Sequence, residues 1–519
     1  MTRARRRPGR STAVPAAAPA PAPATGAPRV VAATVVLTSL AAILERWWFP
    51  RAWNETGNPA SVFYFGDVPA YLSYARAIAL GQPYDNGIPF HPPGWPWTLS
   101  WVVGLVTSAA ALKFAVAVLS GLGVGLAALL AWRLVGRGAM LATALLGVFH
   151  FGHIVAGSVP NSEALFGVLV VLALLAAERW FSAAGTRAAL TAAALTGAVA
   201  GLAALVRAEF LLGGLLLAAA GWWQSRGRGW HGPAACLAGL ALVLVPNTVA
   251  NWTSLSAFNA SHTRGFPGPL PRLAPVTSYG AFNFAMANHE RADGGPNRDH
   301  PLLDACAAED ARLLEAGGLE LACPAAYELY VDGYGIGAAW LLRHPLDTAG
   351  LWARKAWYAA GALAQGYMAD DFGGGTSGVR RRVDMIDPAG RLLLPLHLAL
   401  LVAGLVLLRH RPVALLLVGV PLATVTAATL LFYGYVRLVI PYLPAVWICQ
   451  GAALAALGAR VAPPAWQRRA PAAVLALAAV LLLVEGARLD TPRALQVDGT
   501  RQPDGTLLQD ETLTLTRTR

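Results

Sequence analysis

Charge is scarce in this sequence. Asp, Glu, Lys and Arg together supply 13% of its 519 residues, against 56% hydrophobic residues and a mean hydropathy of +0.50. The apolar residues come in blocks rather than at an amphipathic period, which is the composition of a membrane protein and excludes an ordinary water-soluble domain. Cysteine is scarce too, with four in the chain and no CxxC pair, so a zinc ribbon or dithiol redox centre is excluded. No Gly-rich phosphate loop, no HExxH and no Ser-centred nucleophile elbow is present, which removes nucleotide-driven pumps and the common hydrolases. The net charge of +12 comes without a basic stripe interleaved with aromatics. Its arginines sit in short clusters between apolar blocks, a positive-inside distribution rather than a nucleic-acid surface.

Those clusters set a topology. Residues 1–29 form a basic, Ala/Pro-rich segment expected to be a disordered cytoplasmic tail. Residues 30–250 read as an N-terminal transmembrane catalytic module, whose first external loop covers 45–111. Residues 95–106 are apolar but short and Trp-rich, so they are expected to lie along the interface and not to cross. Spans are then expected at 30–44, 112–134, 139–156, 165–177, 188–205, 210–223 and 234–250, with the arginine-rich links inside. Between 251 and 391 Gly, Pro, Asn, Asp and Glu rise and no apolar run is long enough to cross. This is a large external loop with helical periodicity at 327–343 and 347–363, where Trp340, Trp352 and Trp357 point to interfacial helices. Residues 392–486 supply C-terminal spans at 392–408, 413–432, 438–457 and 472–484, and 487–519 is a polar external tail. The fold class expected is an all-α polytopic membrane protein of about eleven transmembrane helices, with external juxtamembrane helices in the first loop. A cytoplasmic (inner) membrane location follows, multi-pass, with the N-terminus cytoplasmic.

The stretch with most chemistry runs from Phe63 to Trp97. It joins the lone acid Asp67 to an amphipathic helix pattern (Tyr71, Leu72, Ala75, Ile78, Ala79) closed by Gly81, and then returns through His91-Pro92-Pro93. Asp67, the Tyr71/Tyr74/Ala75/Arg76 run and the His-Pro-Pro return resemble the first external loop of the polytopic GT-C glycosyltransferases, of the protein-mannosyl and aminoarabinose transferase kind. Further along, Asn161-Ser162-Glu163 resembles their second external acidic site, the run from Gly201 to Glu209 their turn with a basic residue, and residues 275–283 the opening of their large loop. Tyr435-Val436-Arg437 is similar to a late external Arg turn. The likeness keeps its order over residues 30–457. One departure is Val68, where many members carry a second acid directly after the aspartate.

The resemblance implies catalysis by Asp67 and Glu163 and binding of a donor phosphate by Arg207, His91 and Arg437. Tyr71, Tyr74 and Asn161 would belong to the substrate loop. It allows no certain cofactor, a divalent cation on Asp67 and Glu163 being the one candidate, since hard cations take oxygen ligands. Each residue also has a plainer reading. Asp67 and Glu163 stand at helix N-termini, where a carboxylate is favoured for its own sake. Arg207 and Glu209 suit a private ion pair, His91 a turn, and Arg437, beside Tyr433, Tyr435 and Tyr442, an interfacial anchor. Cys236 and Cys449 fall in apolar spans and are expected free, whereas Cys306 and Cys323 share the external region and are expected to pair.

The function expected is transfer of a hexose or pentose from a polyprenyl-phosphate donor to a lipid, glycan or protein acceptor on the external face, with inversion. Membrane lipids are its other partners, and nucleic acid is not one. The rivals are a transporter or flippase of lipid-linked sugars, and a ligase or polymerase of whole glycans. Acids at span ends rather than mid-span, and halves that do not match, favour the transferase over a transporter.

Overall fold

In a bilayer an apolar run satisfies its own backbone only as a helix, and helices make almost all of this fold. The computed structural model describes residues 28–54, 67–82, 88–106, 109–224, 229–261, 269–296, 299–306, 324–364 and 378–461, with 500–501 and 507–508. The chain begins with α1 (Pro28–Asn54) and the two short helices of the first loop, α2 (Val68–Ala79) and α3 (Gly94–Leu105). Seven more follow: α4 (Ala109–Leu134), α5 (Arg137–Phe149), α6 (Phe151–Ala156), α7 (Glu163–Ser182), α8 (Thr186–Val206), α9 (Phe210–Gln224) and α10 (His231–Ser261). The large intervening region carries α11 (Gly280–Met286), α12 (Pro324–Arg343) and α13 (Pro345–Ala360). The described bundle closes with α14 (Gly378–Leu408), α15 (Pro412–Leu431), α16 (Val436–Val439) and α17 (Leu443–Val461).

Seven candidate spans are long and apolar enough to cross a membrane, in α1, α4, α7, α8, α10, α15 and the run 436–460; α5, α9 and residues 393–408 are shorter apolar helices. The protein is an all-α polytopic membrane protein. Among the described residues strand pairing is confined to Thr500 with Leu508 and Arg501 with Leu507. The tail 1–27, the span expected at 472–484, Cys323 and most of 487–519 lie outside the described residues.

Helix α3 is as short as its sequence implies. Twelve residues rise about 18 Å, well under the bilayer core. Trp95, Leu99 and Val103 are buried on one face while Trp101 and Leu105 project outward. Several boundaries differ from the sequence reading: α1 continues past 44 to Asn54, into the loop expected at 45–111, and α14 begins at Gly378, ahead of the span expected from 392. Residues 139–156 are not one helix, because the chain breaks at His150, whose imidazole accepts from the His153 N–H and pairs with the Ala362 carbonyl. Helix α10 does not stop at 250 but continues through Asn251-Trp252-Thr253 to Ser261. Its polar face is satisfied by protein: Asn247, Asn251 and Asn259 donate to the carbonyls of Pro275, Ala274 and Leu270 at 2.9, 2.7 and 2.9 Å. Those amides pin the start of the large region along the helix.

The bundle packs through small residues. A Cβ on Gly197 of α8 would collide with the Cys236 carbonyl, and one on Gly239 of α10 with the Ala194 carbonyl, so the two glycines let these backbones touch. A second seam joins the first loop to the large region. There Ser278 N–H donates to Pro89 O at 2.8 Å, and Thr277 Oγ1 donates to Pro89 O at 3.0 Å.

Candidate functional site

Asp67 stands at the N-cap position of α2, yet its side chain makes no capping hydrogen bond. The carboxylate turns instead to Arg437, on α16 far along the chain, with Nη1 to Oδ2 at 2.9 Å. The same guanidinium donates through Nε to Glu163 Oε1, at the first turn of α7. Glu163 Oε1 also meets Arg207 Nη1 at 3.3 Å, and Arg207 Nε holds Glu209 Oε1 at 2.7 Å. Segments scattered through the sequence thus meet in one alternating row: Asp67, Arg437, Glu163, Arg207, Glu209. Three carboxylates against two guanidiniums leave it one net negative charge.

The row is open at Asp67 and most closed at its middle, Glu163. The Asp67 side chain is 47% exposed, Arg437 10% and Glu163 1%. Burial would raise the Asp67 carboxyl, but the guanidinium of Arg437 and, less strongly, the imidazole of His91 outweigh it and hold the group below its ordinary 3.8. Tyr71 lies one turn along α2, buried, and burial together with the Asp67 charge pushes its phenol upward from its ordinary value. Glu163 Oε2, both polar atoms of the Asn161 amide and the Tyr442 hydroxyl are buried with no partner. Such atoms make the inner end of the row receptive to a polar ligand.

Local structure explains each placement. Ser162 ends the 157–162 turn and puts Glu163 at the first position of α7, where the helix dipole favours its charge. That turn is gripped from two sides: Trp95 Nε1 donates to Pro160 O at 3.0 Å, and Ser158 Oγ donates to Arg46 O at 2.7 Å. Arg207 takes the C-cap position of α8 in extended conformation, aiming its guanidinium back over Phe166 at 5.7 Å from the ring centroid. Arg437 is carried by the single turn of α16, held between Tyr435 and the 3₁₀ turn Ile440–Tyr442.

His91 packs in an aromatic group, its ring centroid 5.2 Å from Tyr74, 5.0 Å from Phe90 and 6.1 Å from Tyr71. Tyr279, at the opening of the large region, packs against Phe90 with tilted rings 4.1 Å apart and closes that wall. Asp67, Glu163, Arg207, Arg437 and Tyr71 are therefore brought together, Asn161 is two residues from Glu163, and His91 with Tyr74 flanks Asp67. Arg207 does pair with Glu209, so the plainer reading of that pair holds in part, but the pair continues into Glu163. Cys236 and Cys449 are free and Cys306 is disulfide-bonded.

A cation on Asp67 and Glu163 does not fit this arrangement. The Arg437 guanidinium already joins the two carboxylates, and among the described residues no group of three or more His, Cys, Asp or Glu could hold a metal. Sequence reasoning missed Arg46, wholly buried in α1. It donates to Ser120 Oγ (2.8 Å), Ala42 O (2.9 Å) and Gly147 O (3.0 Å) and pairs with His153 Nδ1 (2.7 Å). Its signal was an arginine inside a continuous apolar helix, a placement that demands partners. Lys355 was missed as well, because α13 gives it no acidic neighbour at helical spacing.

No family model matches the chain, and no curated protein matches it. Solved structures similar to it include crystal structures of the Archaeoglobus fulgidus oligosaccharyltransferase. The apo form gives 15% identity and a TM-score of 0.43, covering 92% of this chain and 61% of that one. The complex with Zn and sulfate gives 13%, 0.39, 92% and 58%. The archaeal oligosaccharyltransferase AglB from the same organism, in complex with an inhibitory peptide and a dolichol-phosphate, gives 15%, 0.38, 93% and 61%. The chain thus spans about three fifths of the length of these structures.

Proposed function

We propose that the protein is a membrane glycosyltransferase of the GT-C kind, moving a hexose or pentose from a polyprenyl-phosphate donor to a lipid, glycan or protein acceptor on the external face. The observation that carries this is the charged row itself. An exposed carboxylate stands at one end, and two arginines behind it are sited at helix ends, where a lipid phosphate at the bilayer surface would meet them.

In this reading the donor phosphate takes the guanidiniums of Arg437 and Arg207, competing with the carboxylates they hold at rest. Arg437 then releases Asp67. Losing the cation that holds its pKa down, Asp67 becomes a better base at the moment the donor is in place. The acceptor hydroxyl gives its proton to Asp67 while its oxygen bonds to the anomeric carbon. The bond from that carbon to the phosphate oxygen breaks, and the polyprenyl phosphate departs as an anion on the arginines. A single displacement inverts the anomeric centre. Glu163 orients both arginines.

Incubating the purified protein with a panel of radiolabelled polyprenyl-phosphate sugars and extracted membrane acceptors tests this. The expected result is transfer with one donor that Asp67→Asn abolishes. Transfer with none of the panel, by protein that still binds polyprenyl phosphate, would overturn it.

A further inference from the structure

Helix α15 ends at Leu431, and its last carbonyls have no partner within the helix. Two side chains from the large region reach them. Lys355 Nζ donates to Leu430 O at 3.1 Å, and Asn288 Nδ2 donates to Leu431 O at 2.8 Å. The two are joined to one another, Lys355 Nζ to Asn288 Oδ1 at 2.9 Å. Lys355 is 0% exposed, on the α13 face that also buries Thr348 and Leu351. The turn after α15 is sewn to the same place. Gly434 N–H donates to Gly294 O at 2.8 Å, and a Cβ on Gly434 would collide with the Lys355 backbone. Three residues later comes Arg437.

Resting on the reading of Arg437 as the phosphate-binding guanidinium, we propose that Lys355 is a positioning residue for Arg437: its ammonium caps α15 and ties the helix α13 to the turn 432–437. A cation at a helix C-terminus is favoured by the dipole, so the cap and the tie are one interaction. A merely structural lysine would face solvent or a carboxylate. This one has neither, and its burial costs free energy that a methionine of similar length would not incur.

That cost makes the tie pH-sensitive. Burial alone lowers the ammonium from 10.5 to about 7. The charged and titratable groups around it are Arg354 on α13, bound to the Asp293 and Ala292 carbonyls, with His289, Glu290, Arg291 and Asp293 in the neighbouring turn and Arg437 beyond Gly434. Lys355 forms no ion pair with any of them, and nothing from the end of α15 brings a charge. As pH rises through about 7 the ammonium becomes an amine and the cap weakens.

The test uses the full chain in nanodiscs, wild type against Lys355→Met and Lys355→Arg. One readout is amide hydrogen exchange at Gly434, corrected for its intrinsic pH dependence. The other is the Kd for farnesyl phosphate, taken as a ratio of variant to wild type so that the probe's own titration cancels. Lys355→Met leaves Asn288 Oδ1 and the Leu430 carbonyl without their donor, so it is expected to melt somewhat lower than wild type while still folding, to lose roughly tenfold protection at Gly434 and to bind the probe roughly tenfold more weakly at pH 6. The Kd ratio should approach one by pH 8.5, a convergence that titration of His289 does not produce. Lys355→Arg, which keeps a cation, should recover part of the protection. Loss of protection with an unchanged Kd would overturn the positioning role; an Arg437→Gln control whose Kd is also unchanged would instead refute the phosphate role of Arg437, so the two failures separate. Unchanged protection at Gly434 in a stably folded Lys355→Met protein would overturn the proposal.

Discussion

Arg46 and Arg437 are both guanidiniums buried in apolar surroundings, and they are used in opposite ways. Arg46 is sealed, and its hydrogen-bond partners are two helix carbonyls, a hydroxyl and an imidazole. It takes hold of the end of α5 through Gly147 O, and its own carbonyl receives Ser158 from the turn before Glu163. Arg437 is shared between two carboxylates, one of them half open to solvent. A guanidinium bound by neutral groups has no competing anion to give up, and serves the fold. One bound by carboxylates can exchange them for another anion, which is what the proposed function asks of Arg437.

The contrast breaks most visibly at Asp67. If this carboxylate is the base, Asp67→Asn leaves a folded protein that binds donor with turnover lower by roughly 10² to 10⁴, measured by single-turnover transfer. No capping bond is lost, but the ion pair to Arg437 is weakened to a neutral contact, so melting should fall modestly, and near-normal turnover would place Asp67 with the structural residues. Arg46→Met is the opposite case. It orphans the Gly147 carbonyl and the Ser120 hydroxyl at about 1 to 3 kcal/mol each, so the melting temperature should fall by several degrees. The protein that remains folded should keep kcat/KM within about twofold; a selective kinetic loss without a stability change would put Arg46 in the site.

Arg207→Lys sharpens the comparison within the row. Lysine keeps the charge but cannot span Glu163 and Glu209 with one planar fork, so donor KM should rise roughly tenfold while kcat changes less. A fall in melting temperature matched by Glu209→Ala, with KM untouched, would return Arg207 to a private pair.

The smallest effect is in pH. In the free protein Asp67 titrates below 3.8, so kcat/KM, which reports free enzyme, should stay flat as pH falls toward that value. On the proposed reading, Arg437 turns to phosphate in the donor complex and the Asp67 carboxyl is freed to rise, so the acid limb of kcat should lie higher than that of kcat/KM. Coincident limbs would mean that Arg437 never lets go. For stability the sign is the usual one for a depressed carboxyl: the contribution of the Asp67 pair is present above the unfolded value and is lost as pH falls through the folded one.

Much of this was legible in the chain. Arginine clusters and apolar length locate the described spans, and the short Trp-rich α3 was readable because twelve residues cannot reach across a bilayer. The continuation of α10 was hidden, because Asn251, Thr253 and Ser254 look like the start of a loop unless the 270–276 segment that binds α10 is known. The break at His150 was hidden because one imidazole bond to a distant carbonyl does not alter hydropathy. Asp67, Glu163, Arg207 and Arg437 were each visible as charges at span ends. That Arg437 lies between the two acids was not visible, since sequence spacing carries no information about a contact made across 370 residues. The cap reading of Asp67 was right about position and wrong about the side chain, because a guanidinium outbids a backbone N–H for a carboxylate.

Glu163 Oε1 accepts from two arginines that a ribosome delivers at very different times. Arg207 is made 44 residues after Glu163, and Arg437 arrives 274 residues after it. A chain inserted from its N-terminus would therefore expose a buried carboxylate through most of its synthesis, were there no earlier partner. Arg207 supplies that partner as soon as α8 is threaded. The inner half of the row can thus form during biogenesis with Asp67 still unclaimed, and the entry of Arg437 is the event that completes it. A chain truncated before α16 should already hold the Glu163, Arg207 and Glu209 pairing, and lack only the outer link.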